Sequence, residues 1–245
     1  MAKDIVPELL AAIQESFNVA FAKDPTIIRI SGLIANGTAT HAQSALYAIK
    51  TGNILSDAFK TNLSSSILPD GKMYYNIAER ILTPTLGNNY EIITQASMEV
   101  QLAMNRAAGL GIKAIKPKQN IDRVQGLVDL VSEADHFDDV AFALDKPVVN
   151  YSLNIVDELI KANADFHYQA GLSPSVKRIA ESGACDWCRE VAGEFNYPDV
   201  PSDTWRRHDN CGCVIEYDPG DGAVRKHSGY GKRSWDVSHV VNKKR

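Results

Sequence analysis

The sequence predicts an α+β protein, predominantly helical. It has a helical body over residues 1–172, a small α+β module over residues 173–221 and a basic extended tail over residues 222–245. Three observations carry that expectation. Apolar residues recur at helical spacing through much of the first 170 residues. After Pro174 the pattern changes to two short strand-like stretches that bracket a group of cysteines and a histidine. From Gly222 onward seven Lys/Arg stand against Asp236 alone, so the tail carries +6 and the whole-chain charge of −4 leaves −10 on residues 1–221.

The elements follow in chain order. Asp4 and Pro7 are helix-start signals, and Leu9, Leu10, Ile13, Phe17 and Phe21 follow at helical spacing. Asp24-Pro25 ends that helix, Thr26 to Ile30 reads as a short strand, and Gly32 to Gly37 as a loop. Thr40-His41-Ala42-Gln43 has the capping-box pattern, with Leu46 and Ile49 on one following face. Gly52-Asn53 interrupts, and Ile54 and Phe59 suggest a second short helix. Pro69-Asp70-Gly71 and Pro84 through Asn89 are rich in turn formers, so residues 61–89 read as an exposed arm.

From Tyr90 to Ala108 a helix is expected, with Ile93, Ala96, Val100, Ala103, Met104 and Ala107 along one side and Gly109-Leu110-Gly111 at its end. Ile121 to Val131 forms a shorter helix. Pro147 to Ala170 forms a longer one, with Val148, Tyr151, Ile155, Leu159 and Ala162 inward and Gly171 as C-cap. These stripes are read as core packing rather than as a cofactor box. Val176 to Ala180 reads as a strand entering the cysteine group and Val214 to Tyr217 as a strand leaving it, before the turn at Asp218 to Gly222.

The cysteine group is the most discriminating feature. Cys185, Cys188, His208, Cys211 and Cys213 fall within 29 residues and include all four cysteines. They read Cys-x2-Cys, a 19-residue gap, then His-x2-Cys-x-Cys. Two close pairs of soft donors joined by a loop can close a tetrahedron around Zn²⁺, which makes zinc the expected cofactor. Four donors suffice and five are present. The second half supplies His208 with Cys211 or Cys213, or both cysteines without the histidine. The set Cys185, Cys188, His208 and one of the last two is preferred. Both sulfurs of a Cys-x-Cys reach one metal only if the backbone turns, which Gly212 permits. A disulfide framework is disfavoured in a reducing compartment.

Enzymatic signatures are missing. The His-x-Glu before Pro-Cys-x-x-Cys of zinc deaminases is absent, as are the metalloprotease His-Glu-x-x-His, a phosphate-binding Gly-x-x-x-x-Gly-Lys-Ser/Thr loop and a Gly-x-Ser-x-Gly elbow. The metal site therefore reads as structural, with no catalytic residue and no small-molecule substrate. The first residues lack the basic and apolar pattern of a secretory signal, and no run approaches the ~18 apolar residues of a membrane helix. An intracellular site of synthesis without a membrane partner is expected.

The stretch Glu181 to Gly193, containing Cys185-Asp186-Trp187-Cys188, and then His208 to Val214 resembles the minor head proteins of tailed phages, the head-morphogenesis proteins of the phage Mu F type and their relatives. The order, the spacing and the preceding helix from Pro147 to Ala170 carry the resemblance, which covers about residues 145–217. It implies a virion component, assembled in the host cytoplasm and located inside the capsid near the portal, with portal and major capsid proteins as partners. It also implies that the five Cys/His positions define the metal site, and the 32 residues after Cys213 leave no room for the toxin domain of some relatives. The basic residues Arg225, Lys226, Lys232, Arg233, Lys243, Lys244 and Arg245 are expected to contact packaged DNA phosphates. Two other readings compete. One is a zinc-stabilised nucleic-acid-binding protein outside any virion, in which Trp187, Trp205, Arg206 and Arg207 engage a single strand. The other is an HNH-type nuclease built on His208-Asp209-Asn210, although its second histidine is not visible.

Overall fold

The computed structural model describes residues 4–208 and 211–220. Its elements are α1 (Val6–Lys23), α2 (Pro25–Ala35), α3 (His41–Asn62), α4 (Tyr75–Ala107), α5 (Ile121–Glu133), α6 (Lys146–Gln169), β1 (Ser175–Ile179), α7 (Asp186–Glu190), β2 (Gly193–Asn196) and β3 (Val214–Asp218). The fold class is α+β and predominantly helical, as the sequence indicated. The chain divides into two compact units. One comprises Met1–Ser31, Leu46–Ile93 and Lys118–Ile155, the other Gly32–Ala45, Thr94–Pro117 and Val156–Arg245.

In the first unit, Val6, Leu9, Ile13 and Phe17 form the buried stripe of α1. Asp24 then caps α2: its carboxylate accepts from the amides of Thr26 at 2.8 Å and Ile27 at 2.9 Å. Pro25 at the first helical position suits this start. The expected strand over Thr26 to Ile30 is therefore a helix, which continues through Gly32 to Ala35 where a loop was expected. The Asp-Pro pair that closes α1 also opens α2.

Two further expectations are corrected. The interruption at Gly52-Asn53 does not occur, because α3 runs unbroken to Asn62. A Cβ on Gly52 would lie 2.7 Å from Ser152 Oγ and 2.9 Å from Val149 Cα. Glycine is there for the close approach of the α3 and α6 backbones, not for a break. The exposed arm over residues 61–89 is not an arm either. After the turn at Asp70 (φ 53) and Gly71 (φ 71), α4 begins at Tyr75 and runs through Pro84. Ala78, Ile81, Leu82 and Leu86 are fully buried, and Ile77 is nearly so. The Thr85 hydroxyl donates to the Ile81 carbonyl at 2.7 Å beside the proline. The i, i+4 stripe outweighs the turn formers embedded in it.

In the second unit, the β-sheet has the order β2-β1-β3 with both pairings antiparallel. Val176 pairs with Phe195 and Tyr217, and Arg178 with Gly193 and Ile215. Period-two alternation puts Val176 and Arg178 on one face of β1, and both are buried. Polar side chains of α6 reach other parts of this unit. Asn163 of α6 accepts from the Ile115 amide at 2.8 Å and donates to its carbonyl at 3.0 Å. His167 Nδ1 is hydrogen-bonded to the Tyr217 hydroxyl of β3. One half of the expected capping box forms at the start of α3: the Thr40 amide donates to Gln43 Oε1 at 2.7 Å, and the Thr40 hydroxyl donates to the same oxygen. Gly109 (φ 74) and Gly171 (φ 91) take the left-handed conformation just past α4 and α6.

Candidate metal centre

Short local elements deliver the five donors. Cys185 is the N-cap of α7, its sulfur accepting from the Cys188 amide at 3.4 Å. That single turn places Cys185 and Cys188 side by side, as Cys-x2-Cys requires. Strand β2, which the sequence reading missed, then pairs with β1. A 3-10 turn at Ser202–Trp205 leads to His208. Residues 211–213 precede β3, so the sheet fixes both ends of the loop system: β1 leads toward Cys185 and β3 leaves Cys213.

The sulfurs and the imidazole converge. His208 Nε2 lies 2.9 Å from Cys188 Sγ and 3.4 Å from Cys185 Sγ, while Cys188 and Cys211 sulfurs are 3.8 Å apart. Two mutually close triads result, Cys185-Cys188-His208 and Cys188-Cys211-Cys213, and either can hold a metal ion. Cys188 belongs to both. Cys188, Cys211 and Cys213 are buried together with Ala184, while Cys185 is exposed, so the centre has one face to solvent. Both cysteines of the Cys-x-Cys face the same cluster. The turn that allows this does not use a left-handed Gly212; its amide donates to Glu181 Oε1 at 2.7 Å, and a Cβ there would collide with that carboxylate.

The electrostatics are uneven across the sulfurs. Burial, followed by the neighbouring Cys213 and Cys211 thiols, pushes the Cys188 pKa up to about 12. Burial opposes ionisation of Cys213 as well. It is outweighed by a hydrogen bond from the Glu181 backbone, by the Cys188 and Cys211 thiols and by the charge of Arg178, which together hold Cys213 below the usual thiol range.

Three residues that the sequence reading did not assign to the metal site surround it. Arg178 is 1% exposed and directs its Nη2 to Cys211 Sγ at 3.5 Å and Cys188 Sγ at 3.9 Å. Arg207 makes a two-point ion pair with Asp157 of α6, both side chains 2% exposed, with Nη2 to Oδ1 at 2.8 Å. Its Nη1 reaches the Cys213 carbonyl at 2.6 Å and Cys211 Sγ at 3.6 Å. Burial opposes the charge on Arg207, and Asp157 more than restores it. Arg207 is thus committed to the interior and is not part of a nucleic-acid surface with Trp187, Trp205 and Arg206. The available signal was the period-two pattern of β1, which puts Arg178 on the face of Val176.

The remaining expectations fall elsewhere. Arg225, Lys226, Lys232, Arg233, Lys243, Lys244 and Arg245 lie outside the described residues, as do Asp209 and Asn210 of the nuclease alternative. No helix among the described residues is long and apolar enough to cross a membrane. Comparison with family models, with characterised proteins and with solved structures finds no match.

Proposed function

We propose that this chain is a structural minor head protein of a tailed phage, similar to those of the Mu F type, in which one Zn²⁺ clamps the Cys/His region. The observation that carries the reading is the convergence of Cys-x2-Cys and His-x2-Cys-x-Cys, in that order after the long helix α6, on two donor triads that share Cys188. Zinc suits the donors. With Zn–S near 2.3 Å a tetrahedral S–S edge is about 3.8 Å, and with Zn–N near 2.0 Å an S–N edge is about 3.5 Å. The Cys188–Cys211 separation of 3.8 Å and the Cys185–His208 separation of 3.4 Å are close to those edges, whereas Cys188–His208 at 2.9 Å is shorter than its edge. Cys185, Cys188 and His208 would hold the ion with Cys211 or Cys213. The ion supplies cross-linking: it ties α7, the His208 loop and the approach to β3 into one piece that has little apolar core of its own. The role is structural, with no catalytic step.

In this reading the protein sits inside the capsid near the portal, contacts portal and major capsid subunits, and lays its basic tail on packaged DNA. Co-expression with portal and major capsid proteins tests the assembly role. The tagged chain should co-purify with them and enter particles, and failure to associate with either overturns it. DNA binding is tested by deleting residues 222–245. With seven tail cations, log affinity should fall with log salt at a slope of up to about −6, sequence-independently. An unchanged affinity and slope after deletion would remove DNA from the proposal.

A further inference from the structure

Arg178 occupies the buried face of the central strand and needs an anion that no carboxylate among the described residues supplies. Its contacts among the described residues are the carbonyl oxygens of Thr204 at 2.7 Å, Arg206 at 2.6 Å and Asp203 at 3.4 Å, the sulfurs of Cys188 and Cys211, and the Trp187 ring with its centroid 5.3 Å from Cζ. Carbonyls and an aromatic face orient a guanidinium but do not neutralise it. A buried cation is tolerated when an opposite charge sits beside it. Arg207, the neighbouring buried guanidinium, has Asp157 for that purpose. For Arg178 the only contacts among the described residues able to carry negative charge are the two sulfurs.

Charge counting then constrains the metal centre. A divalent ion held by two thiolates and two neutral ligands is neutral, whereas three thiolates leave −1 and four leave −2. Resting on the metal-binding part of the function above, we propose that Arg178 is the counter-ion of the metal centre, and that the centre is anionic, with at least three thiolates including Cys188 and Cys211. The hydrogen-bond pattern agrees. Cys185 accepts from the Cys188 amide, Cys188 from Arg178, and Cys211 from both Arg178 and Arg207 at 3.5 and 3.6 Å. N–H donors aimed at sulfur disperse thiolate charge and orient the ligands, the usual task of groups just outside a metal's own ligands. Arg178 also grips the carbonyls of the segment that delivers His208, so one residue couples the charge of the centre to the position of its histidine. A centre of this composition selects soft divalent ions over magnesium or calcium.

The test uses the full reduced chain. Loaded with Co²⁺, it should show sulfur-to-cobalt charge-transfer absorption with the intensity of three or four thiolates. An intensity of two overturns the proposal and the three-cysteine ligand set, while leaving metal binding itself intact. Zinc affinity by chelator competition should fall about 10- to 100-fold in Arg178→Met. Arg178→Lys, which keeps the charge but not the fork, should recover most of that loss. Equal affinity of Arg178→Met and the natural chain, or equal losses in Met and Lys, would refute the counter-ion role. Should Arg178→Met fail to fold, Arg178→Lys carries the test: near-natural zinc affinity supports the counter-ion role, and a loss of about 10- to 100-fold refutes it. A chain that binds neither metal refutes the zinc reading above, and the counter-ion role falls with it.

Discussion

Asp157→Asn tests how firmly the Cys/His region is fastened to α6. In the folded chain the Asp157 carboxylate receives two guanidinium N–H groups of Arg207, and both side chains are 2% exposed. Neutralising the carboxylate leaves a buried cation whose remaining partners are the Cys213 carbonyl and the Cys211 sulfur. Breaking a buried pair by removing one charge costs about 3–5 kcal/mol. The amide oxygen still accepts one hydrogen bond, which places Asp157→Asn near the lower end, about 3 kcal/mol. That is roughly a 150-fold change in the unfolding equilibrium, and a large share of the ~5–15 kcal/mol of a typical domain. Urea unfolding followed by tryptophan emission is the assay, since Trp187, Trp205 and Trp235 are the only tryptophans and all lie beyond residue 186. Far-UV circular dichroism reports the helices in parallel. The double variant Asp157→Asn/Arg207→Met should lose less than the sum of the single losses, because it removes both charges together. A single-variant loss under about 0.5 kcal/mol, or strict additivity, would refute the reasoning.

Other outcomes are expected. His41 is fully buried, and burial, only partly offset by the nearby Gln101 amide, lowers its pKa from 6.5 to about 4; neither ring nitrogen has a well-formed hydrogen bond. Because the unfolded chain binds the proton more tightly, stability should fall as pH drops from about 6.5 to about 4, by about 3 kcal/mol, and level off below. His41→Phe should flatten that window in urea titrations at graded pH. Gly52→Ala should lower the thermal midpoint of the helical signal. The added methyl meets the α6 backbone, and overpacking of about 1–3 kcal/mol exceeds the ~1 kcal/mol that alanine gains in a helix. Cys188→Ser should lose stoichiometric zinc by elemental analysis, whereas Cys185→Ser should retain weaker binding, since Cys188 is shared by both triads. Equal loss in the two would contradict the shared position of Cys188.

The parts legible in the sequence were those governed by local rules. Helical stripes gave α1, α5 and α6, the capping box gave the start of α3, and cysteine spacing gave the donors that converge. What failed was the reading of punctuation. Asp24-Pro25 both stops one helix and caps the next, and Pro84 sits inside α4 because Ile81, Leu82 and Leu86 are buried around it. Gly52 marks a close packing of helices that only the tertiary arrangement reveals. Around the centre, the donors carry a chemical signature but their supports do not. Arg178, Asp157 and Glu181 lie 7, 28 and 4 residues before Cys185, at no spacing that announces a shared site. Long-range charge pairing has no sequence period, so Arg207 reads as a surface cation until Asp157 is found against it.

The most direct measurement combines metal content with order in the same sample. Purified, fully reduced protein should contain one equivalent of zinc. Its amides around Cys188 and Cys211 should exchange slowly with solvent deuterium, and a strong chelator should release the zinc and abolish that protection while leaving α1 and α4 protected. Protein without metal, yet equally protected around those cysteines, would contradict the account at its base.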